Sequence, residues 1–240
     1  LKMLERRSEA AEMGQKSTVA LAFAVWATLA RAEHVYDGYA SFYDEQAGQI
    51  FRAPVSNEYL PADYGPTGDS TASWVGRAGR RHLGVTVTSR SIRIDKRTYL
   101  YADAVRLPDD SRTDMDPRTV ILYVAPTIGA STPDLCVEST GFGSGTADRY
   151  SQVYAIATHS QSGARLFKLP SLFGTCRSVF RQRGALQFPS FSYRLENDID
   201  HPVGTEIQYF VIDGKRYIRS HRQLSTRFTV PANVFRFIID

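Results

Sequence analysis

Glu196, Asp198, Asp200 and His201 stand no more than two residues apart, directly before Pro202 and Gly204. Carboxylates so spaced in a loop can offer several oxygens to one cation, and Ca²⁺ is satisfied once backbone carbonyls bring the ligands to ~6 to 8. The order is not that of an EF-hand, and a solvated acidic loop has the same composition. Asp109, Asp110, Asp114 and Asp116 form a second run open to the same two readings. The five histidines, His34, His82, His159, His201 and His221, show neither the HExxH nor the HxH spacing that puts two imidazoles on one metal. A hydrolytic site would have to be assembled in space, with His159 or His201 and nearby acids as its members. Gly141-Phe142-Gly143-Ser144-Gly145 has Gly where a nucleophile elbow has Ser, and lacks the Lys of a phosphate loop, so it reads as a turn. No spacing in the chain asks for a cofactor.

The second chemistry is electrostatic. Lys215, Arg216, Arg219, Arg222 and Arg227 follow one another with no acid between them. They sit on the clearest local signal in the chain, two strand-like runs (206–212 and 215–222) around Asp213-Gly214, a pair that suits a two-residue type I′ turn. If the second strand runs unbroken, Arg216 and Arg222 share one face, and Lys215 and Arg219 the other. This surface is expected to meet an anionic partner, either an envelope polymer or an acidic patch on a protein. Bases also gather at 165–183, while 33–76 carries seven acids and only Arg52.

The N-terminus bears on that balance. Lys16 precedes an uncharged apolar stretch from Ser17 to Ala30, then Ala30-Arg31-Ala32, a small-x-small cleavage pattern. The stretch is shorter than the ~20 residues a bilayer span needs, so residues 1–32 are expected to be a signal peptide, cleaved before Glu33, with Met13 as the true initiator. What remains has 24 bases and 22 acids, a net charge of +2 that gives no reason to expect nucleic acid as a partner. With no second apolar span, the cleaved chain is not expected to cross a membrane by a helix.

Cys136 and Cys176 are the two cysteines of the chain. In an exported protein they are expected to form a disulfide, whereas a redox role lacks the C-x-x-C spacing.

The elements that must position these groups are mostly strands. Leu83, Val85, Val87, Ile92 and Ile94 recur at every second position. Runs at 98–105, 150–158, 190–195 and 233–239 add further strands, and the continuous apolar run 119–124 predicts a central strand buried on both faces. Leu172, Phe173, Cys176, Val179 and Phe180 fall on one helical face and predict a short helix over 171–183. Pro61, Gly65, Pro66, Gly68, Gly76 and Gly79 mark 56–80 as irregular. Aromatics at 36–74 are read as core, since large rings drive burial. The class that follows is mainly β: a single antiparallel β-sandwich or open barrel-like sheet with one short helix, over one domain from 33 to 240.

The function class expected is an exported, soluble, non-catalytic binding or accessory domain of the bacterial envelope or extracellular space. Two rivals are a secreted hydrolase and an inhibitor or immunity-type protein that blocks a protein partner through 56–80.

Overall fold

The two-residue alternation from Leu83 to Ile94 folds as its period dictates, into neighbouring strands whose apolar members are all buried. The computed structural model describes residues 33–65, 70–108, 114–127, 132–140, 149–158, 163–196, 201–214 and 216–240. In chain order its elements are β1 (Tyr36–Asp37), α1 (Tyr39–Asp44), β2 (Ala62–Tyr64), β3 (Ser70–Ala78), β4 (Arg81–Val87), β5 (Ser91–Ile94), β6 (Arg97–Leu100), β7 (Val120–Val124) and β8 (Leu135–Thr140). They continue with β9 (Ser151–Ala157), β10 (Arg165–Leu169), β11 (Phe180–Gln182), β12 (Ala185–Arg194), β13 (Gly204–Asp213), β14 (Arg216–Phe228) and β15 (Arg236–Ile239).

The strands form three antiparallel sheets, with orders β2-β3-β4-β5-β6, β10-β9-β8-β7 and β1-β15-β14-β13-β12-β11. The protein is thus mainly β, as its sequence implies, with a half-barrel sheet and one short α-helix. The four-stranded sheet is the middle layer. One of its faces packs Val120, Leu122, Val137, Tyr154 and Ile156 against Leu83, Val85, Val87 and Ile92 of the five-stranded sheet. Its other face packs Tyr123, Cys136, Val153 and Ala155 against Phe188, Phe210 and Tyr217 of the six-stranded sheet. Burial on both faces is why these strands read as continuous apolar runs.

The six-stranded sheet coils. Ile207 and Tyr209 of β13 enter an aromatic cluster with Tyr36, Tyr39, Phe42 and Phe237, while Phe210 and Ile212 of the same strand join the core over the middle sheet. A bulge where Gln208 pairs with Gln223 but Phe210 with Arg219 supplies the extra twist. Helix α1 covers this aromatic cluster with Tyr39, Phe42 and Tyr43, at i, i+3 and i+4.

Several expectations need correction. Over 171–183 the chain makes only a 3-10 turn, Cys176–Ser178, and then turns into β11. Phe173 has a left-handed φ of 52°, which interrupts any right-handed helix there, and β12 offers Phe180–Gln182 a ladder. The apolar residues of the stretch are buried nonetheless. Within the 56–80 stretch, Ala62–Tyr64 and Ser70–Ala78 pair as the antiparallel strands β2 and β3. Gly76 is there because the Trp74 ring crosses it where a Cβ would be, not because the chain turns. Strand β7 is buried on both faces but is outermost in its ladder, its far edge covered by Val55 and Leu60, whose amides bond Leu122 and Val120 carbonyls at 2.8 and 2.9 Å. The 98–105 run stops as a strand at Leu100 and becomes a 3-10 turn, Tyr101–Asp103. In the β13–β14 hairpin, Asp213 pairs with Arg216 and belongs to the ladder, leaving Gly214, with φ 56°, in the turn.

Candidate functional site

The β5–β6 hairpin turns through Asp95, which holds φ 51°, and Lys96. The Asp95 carboxylate accepts the Gly84 amide at 3.0 Å and an Arg81 N–H at 2.7 Å. The backbone bond first, and then the guanidinium, hold its pKa below the usual carboxylate range. Arg81 also donates to Thr132 Oγ1 at 2.7 Å, which ties the hairpin tip to the approach to β8. Asp95 is thereby used up internally. Lys96 and Arg97 beside it are exposed and have no carboxylate partner among the described residues.

These cations rim a trough. Arg81, Lys96, Arg97 and Tyr99 face Thr132, Thr158, Gly163 and Ala164 around a cavity of 700 Å³. It adjoins a second of 460 Å³ that shares Tyr99 and Ala164 and adds Leu100, Val105 and Leu166. The threonines are fixed from below. Buried Asp134 accepts the Thr158 amide at 2.7 Å and Arg181 at 2.8 Å, and the Thr158 hydroxyl donates to the Thr132 carbonyl at 2.7 Å with the Asp134 carboxylate 3.1 Å away. The site is therefore basic and hydroxyl-lined at one end, lined at the other by Leu100, Val105 and Leu166 together with Asp103 and Arg165, and held in place before any ligand arrives.

Sequence reasoning passed over this site although a signal was present. Between 77 and 97 stand seven bases (Arg77, Arg80, Arg81, Arg90, Arg93, Lys96, Arg97) against one acid, Asp95. The five arginines from 77 to 93 already form a basic run with no acid among them, and Asp95, which separates them from Lys96 and Arg97, is spent on Gly84 and Arg81.

The residues singled out from sequence are placed as follows. Arg216 is exposed, 3.8 Å from Asp213. Arg219 donates to Gln208 Oε1 at 2.6 Å. Arg222 lies 4.0 Å from the centre of the Tyr209 ring and donates to Gln46 at 2.8 Å. Arg227 pairs with Glu33 at 3.6 Å and Asp240 at 3.4 Å. Lys215 lies outside the described residues. The bulge breaks the register of the β13–β14 pairing between Gln208 and Phe210, and the Gln208 amide donates to the Ser220 and Arg222 carbonyls at 2.8 and 3.2 Å where the ladder opens.

Glu196 and His201 are exposed, while Asp198 and Asp200, between them, are outside the described residues, as are Asp109, Asp110, His159 and 141–145. Asp116 caps the turn ahead of β7, accepting Arg118 N at 2.9 Å. Among the described residues no three His, Cys, Asp or Glu side chains converge as a metal site would, and no helix is long and apolar enough to cross a membrane. Among the described histidines, His34 pairs with a carboxylate, Glu45 at 3.0 Å, in the open. Tyr36, Tyr39, Phe42, Tyr43 and Phe51 are core, while Tyr59 and Tyr64 are exposed.

Cys136 of β8 and Cys176 are bonded, with an S–S distance of 2.10 Å. Glu138, on the next same-face position of β8 after Cys136, clasps the same junction: it accepts the Cys176 amide at 2.6 Å, the Thr175 hydroxyl at 2.7 Å and the Tyr123 hydroxyl at 3.0 Å. Burial raises its pKa above the usual value despite these bonds.

Compared with protein-family models, with curated proteins and with solved structures, the chain matches none.

Proposed function

We propose that the chain is an exported, non-catalytic binding domain that engages an anionic group of its partner at the basic end of the trough. One observation carries the reading: among the described residues Lys96 and Arg97 have no carboxylate partner at the mouth of a preformed, hydroxyl-lined trough, while the described cations of the 206–227 hairpin are each close to a group of their own chain. A cation already stacked on an aromatic ring and bonded to an amide has less to offer a ligand than one held only by water. The leader pattern over 17–32 and the disulfide support export.

The test is retention on an anionic matrix, such as immobilised polyphosphate, across a salt series. The Debye length shrinks from ~10 Å at 0.1 M to ~3 Å at 1 M, so retention should fall steeply over that range. Lys96→Ser with Arg97→Ser should weaken it more than Arg216→Ser with Arg222→Ser. Equal weakening by the two pairs would move the site off the trough, and salt-independent retention would remove the electrostatic reading altogether.

A further inference from the structure

The trough has a second property besides its charge: it runs between two sheet edges. Strand β6 is outermost in the five-stranded sheet and β10 is outermost in the four-stranded sheet, and Thr98, Tyr99 and Leu100 of the first face Ala164, Arg165 and Leu166 of the second across the cavity. The Tyr101 amide bonds the Arg90 carbonyl at 3.0 Å, which sets the phase of the β5–β6 ladder. With Ile92 opposite Tyr99 and Ile94 opposite Arg97, the residues between them, Thr98 and Leu100, turn their main-chain N–H and C=O groups away from β5 and into the open.

The other edge shows what such a position accepts. Val105 lies on β10 as a short parallel addition, its amide bonding the Leu166 carbonyl at 3.0 Å and its carbonyl taking the Lys168 amide at 2.8 Å, and the Tyr217 hydroxyl closes the end by donating to the Val105 and Lys168 carbonyls. The far edge of the middle sheet is likewise covered, by Val55 and Leu60 along β7. The chain thus covers β7 and the end of β10 with its own backbone, but among the described residues no strand lies on the outer edge of β6. Natural sheets usually blunt a bare edge with charge, and Lys96 and Arg97 do so at one end only, while exposed Leu100 stands at the other.

We propose that the trough binds an extended acidic peptide segment of a partner protein as a strand added to β6. The inference rests on the reading of Lys96 and Arg97 as the anion-binding rim, and it names the partner that uses them. A row of alternating main-chain donors and acceptors is matched in spacing and in both roles by another main chain, whereas an ionised phosphate only accepts. The peptide's acidic residues lie against Lys96 and Arg97, and its apolar side chains pass Leu100, Val105 and Leu166. The four residues of β6 span ~13 Å, so about four residues of partner pair with it, and about two acidic residues beyond them reach Lys96 and Arg97.

The probes are a set of labelled peptides of about six residues, with two glutamates at one end followed by alternating valine and threonine, and with the apolar residue varied. Each is paired with a twin N-methylated at alternate amides, which keeps the charge and loses the ladder, and polyphosphate serves as a polyanion with no peptide backbone. With the full chain, peptide binding followed by fluorescence anisotropy should weaken about tenfold on N-methylation, the loss of roughly two main-chain bonds. Hydrogen exchange at the Thr98 and Leu100 amides should slow on binding, and Lys96→Ser with Arg97→Ser should weaken peptide and polyphosphate alike. If polyphosphate binds through Lys96 and Arg97 while N-methylation changes nothing, strand addition is overturned and the anionic rim stands. If neither probe binds, both fall. Protection of Thr98 and Leu100 that grows with protein concentration in the absence of peptide assigns the edge to a second copy of the chain and overturns the proposal.

Discussion

Replacing Cys136 and Cys176 together by alanine should cost the fold about as much as any change that leaves it standing. The bond joins positions 40 residues apart. Loop-closure entropy for a loop of that length is worth ~4 kcal/mol in the chain-entropy model, against a typical domain stability of ~5 to 15 kcal/mol. Both cysteines are buried, at 1% and 0% exposure, in the cluster of Phe51, Leu169, Val179 and Phe188. Alanine is the right replacement there, because serine would bury two hydroxyls as well as breaking the bond. The Glu138 clasp still holds the Cys176 amide and the Thr175 hydroxyl, so the turn keeps its place and the variant should fold. A loss of ~4 kcal/mol lowers the melting temperature by ~8 to 16 °C in a chain of this size. The assay is thermal unfolding followed by far-UV circular dichroism, with the oxidised parent, the reduced parent and the double variant side by side. The reduced parent should fall with the variant. A drop below about 3 °C with an unchanged spectrum would refute the reasoning, because it would mean that the unfolded chain already keeps this loop closed.

Further expectations follow from single contacts. Burial raises the Glu138 pKa, so the folded chain holds a proton that the unfolded chain has released; the stability from this group is full below the ordinary carboxylate range and is lost as pH rises through the folded value. Glu138→Gln should flatten that fall when melting temperatures of the two proteins are compared across pH, and parallel curves would show that Glu138 titrates normally. Arg222→Ala removes the stack on Tyr209 and the bond to Gln46 and should cost ~1 to 3 kcal/mol in denaturant titrations, while Arg216→Ala, at the exposed hairpin end, should stay within ~0.5 kcal/mol. Gly204→Ala drives a Cβ into the Thr226 carbonyl and must pry β13 from β14, at ~1 to 3 kcal/mol; a neutral result would show that the pair opens freely. Exported protein should begin at Glu33 on N-terminal sequencing, and material that retains Leu21–Ala30 would remove the signal-peptide reading.

What the sequence determined by itself is whatever depends on near neighbours. Period two at 83–94 specifies buried strands whatever they pack against, and glycine next to Asp213 makes a hairpin because the φ it adopts is local. The cysteine pairing was legible for a different reason: two thiols leave one partner choice. Tertiary structure decided the rest. The apolar spacing at 172–180 fits a helix, but burial is all that the spacing encodes, and a turn followed by β11 buries the same residues once β12 offers its edge. Gly76 looks like a breaker until the Trp74 ring is seen lying across it. The trough was hidden because it is built from residues up to 83 positions apart along the chain, Arg81 to Ala164, and because charge along a sequence does not say which cations are already spent. Arg222 and Lys96 carry the same charge, yet one is stacked on Tyr209 and the other stands at an open rim, a difference that arises only when the sheets close and choose which cations find a partner.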